Sequence, residues 1–243
     1  MCMVCEQNSR LLSRRALGLC AMSAAALLLA PGVSAKEKER KAPPKPENVL
    51  SPEAALTRLV KGNERYVEGA MRRHDFKRER ETLVGGQNPY AAILSCADSR
   101  IAPEYAFDSS RGDLFVCRVA GNFASDETVA SLEYAVAVLR TPLILVLGHE
   151  ACGAVDATIK SLRDDKPLPG HMPSLVTAIA PAVKAASSQS GDPLINAIRQ
   201  NVLDNVAKLR SSSPILSSAV NDKKLQVVGG IYRLGSGKVE LTG

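Results

Sequence analysis

The sequence predicts an α/β fold with a mainly parallel central sheet flanked by helices, and three observations carry that expectation. From Pro89 onward, short apolar runs alternate with stretches of helical periodicity. The run Pro142-Leu143-Ile144-Leu145-Val146-Leu147 is continuously apolar, as parallel strands covered on both faces are. The first and third apolar runs are each followed at once by a cluster of chemically loaded residues. In open parallel sheets the carboxyl ends of strands are where ligands gather.

The elements follow in order. Ser51-Pro52 opens a helix, since Ser caps and Pro suits the first helical position, and Leu56, Leu59, Val60, Tyr66 and Val67 recur at helical spacing. Residues 71–81 are dense in charge of both signs, a solvated loop and helix start. Tyr90-Ala91-Ala92-Ile93-Leu94 reads as a buried strand and residues 113–118 as a second. Ser125 caps a helix whose Val129, Leu132, Val136 and Leu139 make one apolar stripe. The third strand is the run from Pro142. A helix begins at about Cys152, a loop rich in Pro and Gly spans 165–173, and further helices occupy about 174–187 and 194–210. Residues 225–232 form a fourth strand, and 238–241 pair at an edge.

Ahead of this domain, which spans 51–243, lie two segments of other character. In residues 1–35, Ser13-Arg14-Arg15-Ala16-Leu17 opens a run without charge to Ala30, Pro31-Gly32 breaks it, and Val33-Ser34-Ala35 supplies small residues for cleavage. The apolar run is shorter than the ~20 residues of a membrane span. The Arg pair reads as a twin-arginine export signal, with an ordinary secretory signal as the plainer alternative. Leu19 before Cys20 is too large for lipoprotein processing, so no stable membrane anchor is expected. Residues 36–50, charged and holding Pro43, Pro44 and Pro46, read as a mobile arm. The mature protein is expected to be periplasmic or secreted, from a bacterium.

The formal net charge is +6, and aromatic residues make up 4% with no Trp. Removing residues 1–35 takes away three Arg and one Glu, leaving 28 basic against 24 acidic residues, or +4. A balance so slight, with so few rings to stack on bases, predicts no nucleic-acid partner. Cys2, Cys5 and Cys20 leave with the signal, so Cys96, Cys117 and Cys152 remain, an odd number that makes no disulfide framework. Metal ligation protects thiols in an oxidising compartment, and twin-arginine export carries proteins that have already folded in the reducing cytoplasm.

The candidate site sits at two strand ends: Ser95-Cys96-Ala97-Asp98-Ser99-Arg100 and Gly148-His149-Glu150-Ala151-Cys152-Gly153. Two Cys and one His form a known catalytic zinc set that leaves a fourth tetrahedral position open. Cys152 falls near a helix N-terminus, where the dipole favours thiolate. Each piece alone has a blander reading: a core cysteine, a chance HxxC, a surface ion pair between Asp98 and Arg100 worth almost nothing. Together, two of the three mature cysteines and one of the three histidines fall at equivalent strand ends. Cys117 is left to packing, and His74 and His171 receive no role.

These residues resemble the paired signature of the β-class carbonic anhydrases. The likeness runs from about Ala54 to Leu241 and takes in Gly62-Asn63-Glu64-Arg65-Tyr66, Gly86-Gln87-Asn88-Pro89, Arg118-Val119-Ala120-Gly121-Asn122, Leu132-Glu133-Tyr134-Ala135 and Gly229-Gly230-Ile231-Tyr232. The family more often has Ser where Ala97 stands.

The resemblance implies the family's fold and its zinc-dependent hydration of carbon dioxide to bicarbonate and a proton by zinc-bound hydroxide. It implies zinc on Cys96, His149 and Cys152, with the fourth place taken by water, or by Asp98 in a closed form. Asp98 would orient the nucleophile, and Arg100 would hold Asp98 ionised and off the metal. Phe115, Ala120 and Tyr134 match pocket-wall positions, Gln87 a substrate-binding amide, and the Gly153 N–H a donor to the developing bicarbonate oxygen. Gln87, and Ile93 where the bicarbonate-inhibited branch has Trp, favour the constitutively open branch. A homodimer or higher homo-oligomer, with pocket residues crossing the interface, is also implied. A carbon disulfide or carbonyl sulfide hydrolase on the same scaffold, and a zinc-stabilised protein that turns nothing over, remain alternatives. A thiol–disulfide protein is disfavoured because Cys96 and Cys152 form no CxxC.

Overall fold

The computed structural model describes residues 50–242. The export segment, the arm up to residue 49 and Gly243 lie outside the described residues. The first helix, α1 (Pro52–Val67), begins as its sequence dictates, with Ser51 Oγ accepting the Ala54 N–H at 3.2 Å and Pro in the first turn. The charged stretch after it becomes α2 (Phe76–Thr82), which buries no residue. Then come β1 (Ala91–Ser95), α3 (Pro103–Ala106), β2 (Leu114–Arg118), α4 (Asp126–Ala137), β3 (Leu143–His149) and α5 (Gly153–Arg163). The chain ends through α6 (Pro173–Ala186), α7 (Pro193–Ser211), α8 (Ile215–Asn221), β4 (Gln226–Tyr232) and β5 (Val239–Thr242).

The sheet runs β2-β1-β3-β4-β5, with β1 to β4 parallel and β5 antiparallel at the edge. Alternate strand residues serve opposite faces. Ala91, Ile93, Leu143, Leu145 and Leu147 pack with Leu59 of α1 and Phe107. Ala92, Leu94, Ile144 and Val146 pack with Leu132 of α4, Val202 and Leu209 of α7, and Leu216 of α8. Both faces are thus covered, as the continuous apolar run required.

Three differences from the sequence reading have local causes. The helices α3 and α8, four and seven residues long, were not anticipated. Each is too short to show a periodic stripe. The α4 helix stops at Ala137, so Leu139, read as part of its stripe, lies beyond the helix. Among the described residues no helix is long and apolar enough to cross a membrane.

The chain leaves β1 for β2 on one side and returns for β3 on the other. The carboxyl ends of β1 and β3 are therefore neighbours at a topological switch point, with Ser95 paired to Leu147. A crevice opens at such a point, and the two loaded segments both enter it.

Candidate metal centre

Cys96 follows β1, His149 ends β3, and Cys152 caps α5. Their ligand atoms all lie within 4.8 Å of one another, and all three residues are buried. His149 Nδ1 lies 2.8 Å from the Glu150 carbonyl oxygen. A carbonyl only accepts, so Nδ1 carries the ring proton and Nε2 presents its lone pair. That Nε2 is buried without a hydrogen-bond partner, a costly state for a polar atom unless a cation meets it. Two soft sulfurs and an imidazole are a donor set that suits zinc.

The surroundings orient each of these three side chains. Glu150 is held by Arg233 at 2.9 Å and by the Leu234 N–H at 3.0 Å, and its own N–H reaches the Tyr232 carbonyl. Cys96 Sγ accepts the Gly121 N–H at 3.3 Å. A hydrogen bond from Cys152 draws the Cys96 thiol down to about 4, helped by the Gly121 and Asp98 N–H groups. The same contact, with burial, pushes the Cys152 thiol up. The two sulfurs lie close enough for one divalent cation to be held by both.

Asp98 is gripped on both oxygens by Arg100, Oδ1 from Nε at 2.9 Å and Oδ2 from Nη2 at 2.7 Å. The Arg100 main-chain N–H adds a bond to Oδ1. Arg100 holds the Asp98 carboxyl well below the usual carboxylate range. Asp98 Oδ2 stands 3.9 Å from His149 Nε2. Arg100 Nη2 also reaches the Ala151 carbonyl at 3.2 Å, joining the two loops.

Of the remaining candidates, Gly153 is the exposed first residue of α5, with nothing within 4 Å of where a Cβ would stand. Ala120 precedes the Gly121 that touches Cys96. Phe115, on the edge strand β2, and the 48% exposed Tyr134 pair their rings at 6.3 Å. Phe115 packs with the α4–α7 face of the sheet, apart from the apolar cluster that contains Cys96 and Cys152. Gln87 lies ahead of β1, at the other end of the sheet from Cys96. A five-residue strand separates them by about 17 Å at 3.3 Å per residue.

The family described as carbonic anhydrase matches residues 91–239 of this sequence. Carbonic anhydrase 2 of Mycobacterium tuberculosis is 37% identical over 79% of this chain and 93% of its own. The chain belongs to the β-class carbonic anhydrases. The carbonic anhydrase of Mycolicibacterium smegmatis is 35% identical over the same shares. Among solved structures, the β-carbonic anhydrase CcaA aligns with a TM-score of 0.60 and 29% identity, covering 77% of this chain and 95% of its own. The Coccomyxa β-carbonic anhydrase, solved with acetazolamide, aligns at 0.59 and 26%, covering 76% and 85%. The reaction of this β-carbonic anhydrase is the reversible hydration of carbon dioxide to bicarbonate and a proton.

Sequence reasoning missed part of the enzyme's site. Arg118 donates to the carbonyls of Cys96 at 2.9 Å and Asp98 at 2.7 Å, fixing the whole first loop. Its only signal was its place in Arg118-Val119-Ala120-Gly121-Asn122. Cys117, expected in packing, is a free, half-buried thiol against the α4–α7 face, and burial raises its pKa. His74, given no role, lies between Glu79 and Asp108, at 3.1 and 3.4 Å.

Proposed function

We propose that Cys96, His149 and Cys152 hold a zinc ion, and that Asp98, Arg100, Gly153 and residues of a second copy of the chain complete the site around it. The buried, unpartnered Nε2 of His149, beside two sulfurs, carries this reading. Zinc supplies, when bound, the Lewis acidity that makes water nucleophilic near neutral pH. Asp98 accepts a hydrogen bond from the attacking oxygen and orients it, since Arg100 keeps the carboxylate ionised. The Asp98–Arg100 fork favours the open form, in which Asp98 stays off the metal. The Gly153 N–H, at the start of α5, is placed to donate to the negative oxygen that develops on the substrate.

Gln87, Phe115 and Tyr134 act from a second copy. Gln87 cannot span the sheet within its own chain, and Phe115 and Tyr134 form a half-exposed ring pair beside the edge strand β2. The β-carbonic anhydrases of Sordaria macrospora are tetrameric, and a homodimer or larger assembly is the form proposed here.

Zinc content measured together with stopped-flow carbon dioxide hydration tests the centre: stoichiometric zinc and fast hydration are expected. Two differently tagged copies, one Gln87→Ala and one Cys152→Ser, test the sharing. Each alone is impaired, and their purified heterodimer recovers activity at one of its sites. No recovery would place Gln87 outside the partner's pocket. The segment 1–35 directs twin-arginine export to the periplasm or beyond, so the intact mass of the exported protein should begin at Lys36. A mature form still carrying Arg14 and Arg15 would overturn that.

A further inference from the structure

The geometry points to Asn201 and Asn205 of α7 as positioning residues that hold the Gly121 N–H on the Cys96 sulfur and so tune the metal's thiolate donor. This rests on the proposal that Cys96 is a metal ligand. Both asparagines are buried, at 2% and 7% exposure, in the interior of a 19-residue helix. Asn is a weak helix former, and an amide buried without partners is destabilising. Their placement is accounted for by what they bind.

Asn201 Nδ2 donates to the Gly121 carbonyl at 2.8 Å. Asn205 Nδ2 donates to the Asn201 carbonyl at 2.7 Å and to Asn201 Oδ1 at 3.2 Å. Asn205 Oδ1 accepts the Ala124 N–H at 2.7 Å, and Lys208, a turn further on, donates to the Ala124 carbonyl. One face of α7 thus grips the loop between β2 and α4 at both Gly121 and Ala124.

What it grips is a turn closed by its own backbone bond, from the Asn122 N–H to the Val119 carbonyl at 3.0 Å. Gly121 has φ +88° and Asn122 has φ +42°, two consecutive left-handed residues. A Cβ on Gly121 would come within 2.5 Å of the movable end of Ile179, and at this φ any L side chain is strained, so glycine is favoured here. This turn aims the Gly121 N–H at Cys96 Sγ. Holding the Gly121 carbonyl, with Ala124 held three residues on, restrains the dihedrals at Gly121 and so limits how far its N–H can turn from the sulfur.

The consequence is electronic. Two thiolates cancel the formal charge of a divalent ion and blunt its acidity. An N–H donated to sulfur withdraws density from that thiolate and restores some of it, as hydrogen bonds around metal-bound cysteine do elsewhere. Without the bond, the sulfur lone pairs rise in energy.

Cobalt-substituted protein reads this directly through its thiolate-to-metal charge-transfer band. Asn201→Leu keeps the side-chain shape and removes the donor, while Asn205 retains the Asn201 main-chain carbonyl. The band is expected to move to longer wavelength, with the visible bands still those of a tetrahedral ion. Asn201→Ser, too short to reach Gly121, should shift it the same way and serves if the Leu variant does not fold. Thr141→Val removes a buried hydrogen bond to the Pro89 carbonyl at the far end of the sheet, and should leave the band in place. An unshifted band in a folded, cobalt-loaded Asn201 variant, or an equal shift in Thr141→Val, overturns the positioning role. Absence of any thiolate band in the cobalt-loaded protein of native sequence overturns the metal site itself, and the positioning role with it.

Discussion

A Cys152→Ser protein is expected to fold, to purify without stoichiometric metal, and to lose carbon dioxide hydration by on the order of 10⁴-fold or more, because the ion brings water's ionisation from about 15.7 to near neutrality. The fold should survive because Ser is a good residue at the N-terminal cap it would inherit. The Ala154 and Val155 N–H groups that now face the sulfur would meet a hydroxyl instead. The metal should not survive. A serine hydroxyl does not ionise near neutrality, so the ion would keep one thiolate and one imidazole. Metal analysis and stopped-flow hydration check this, with circular dichroism to confirm the fold. A zinc-loaded, fully active Cys152→Ser protein would remove the basis for the assigned centre.

How much of this was legible in the sequence depends on whether the signal lies along the chain or across it. The strands were legible because a run such as Leu143 to Leu147 is apolar at every position, and burial on both faces leaves no other pattern. Cys96, His149 and Cys152 were legible because they follow directly on such runs, and adjacent parallel strands bring those ends together whatever the register. Arg118 was not: it reaches the Cys96 and Asp98 carbonyls because Ser95 pairs with it across β1 and β2, and register is invisible in spacing. Gln87 was assigned by resemblance alone; a strand lies between it and Cys96 and puts the two at opposite ends of the sheet, so its role calls for a second copy of the chain. Asn201 and Asn205 lie on a helix the periodicity shows, but the loop they hold comes from some eighty residues earlier, which spacing along the chain does not show.

The pairing of Asp98 with Arg100 gives the other large effect, and its logic is non-additive. Asp98→Asn keeps the side-chain shape and removes the charge, so kcat/KM should fall by about 10²–10⁴-fold, the range for a lost group that guides a proton. Zinc content should be unchanged, because the three proposed ligands are untouched. Arg100→Leu should cost a similar factor for a different reason. With the fork gone, Asp98 Oδ2, already 3.9 Å from the ring nitrogen offered to the ion, is free to swing onto the metal and block the place water needs. If Arg100 works by restraining Asp98, the double variant should be hardly worse than Asp98→Asn alone, since Asn cannot compete for the ion as a carboxylate does. Two sites in contact whose losses fail to add are coupled. Stopped-flow kcat/KM for the four proteins, each corrected for zinc content, measures that coupling. Losses that simply multiplied would mean that Arg100 meets the substrate or the solvent directly, and that holding Asp98 is not its task.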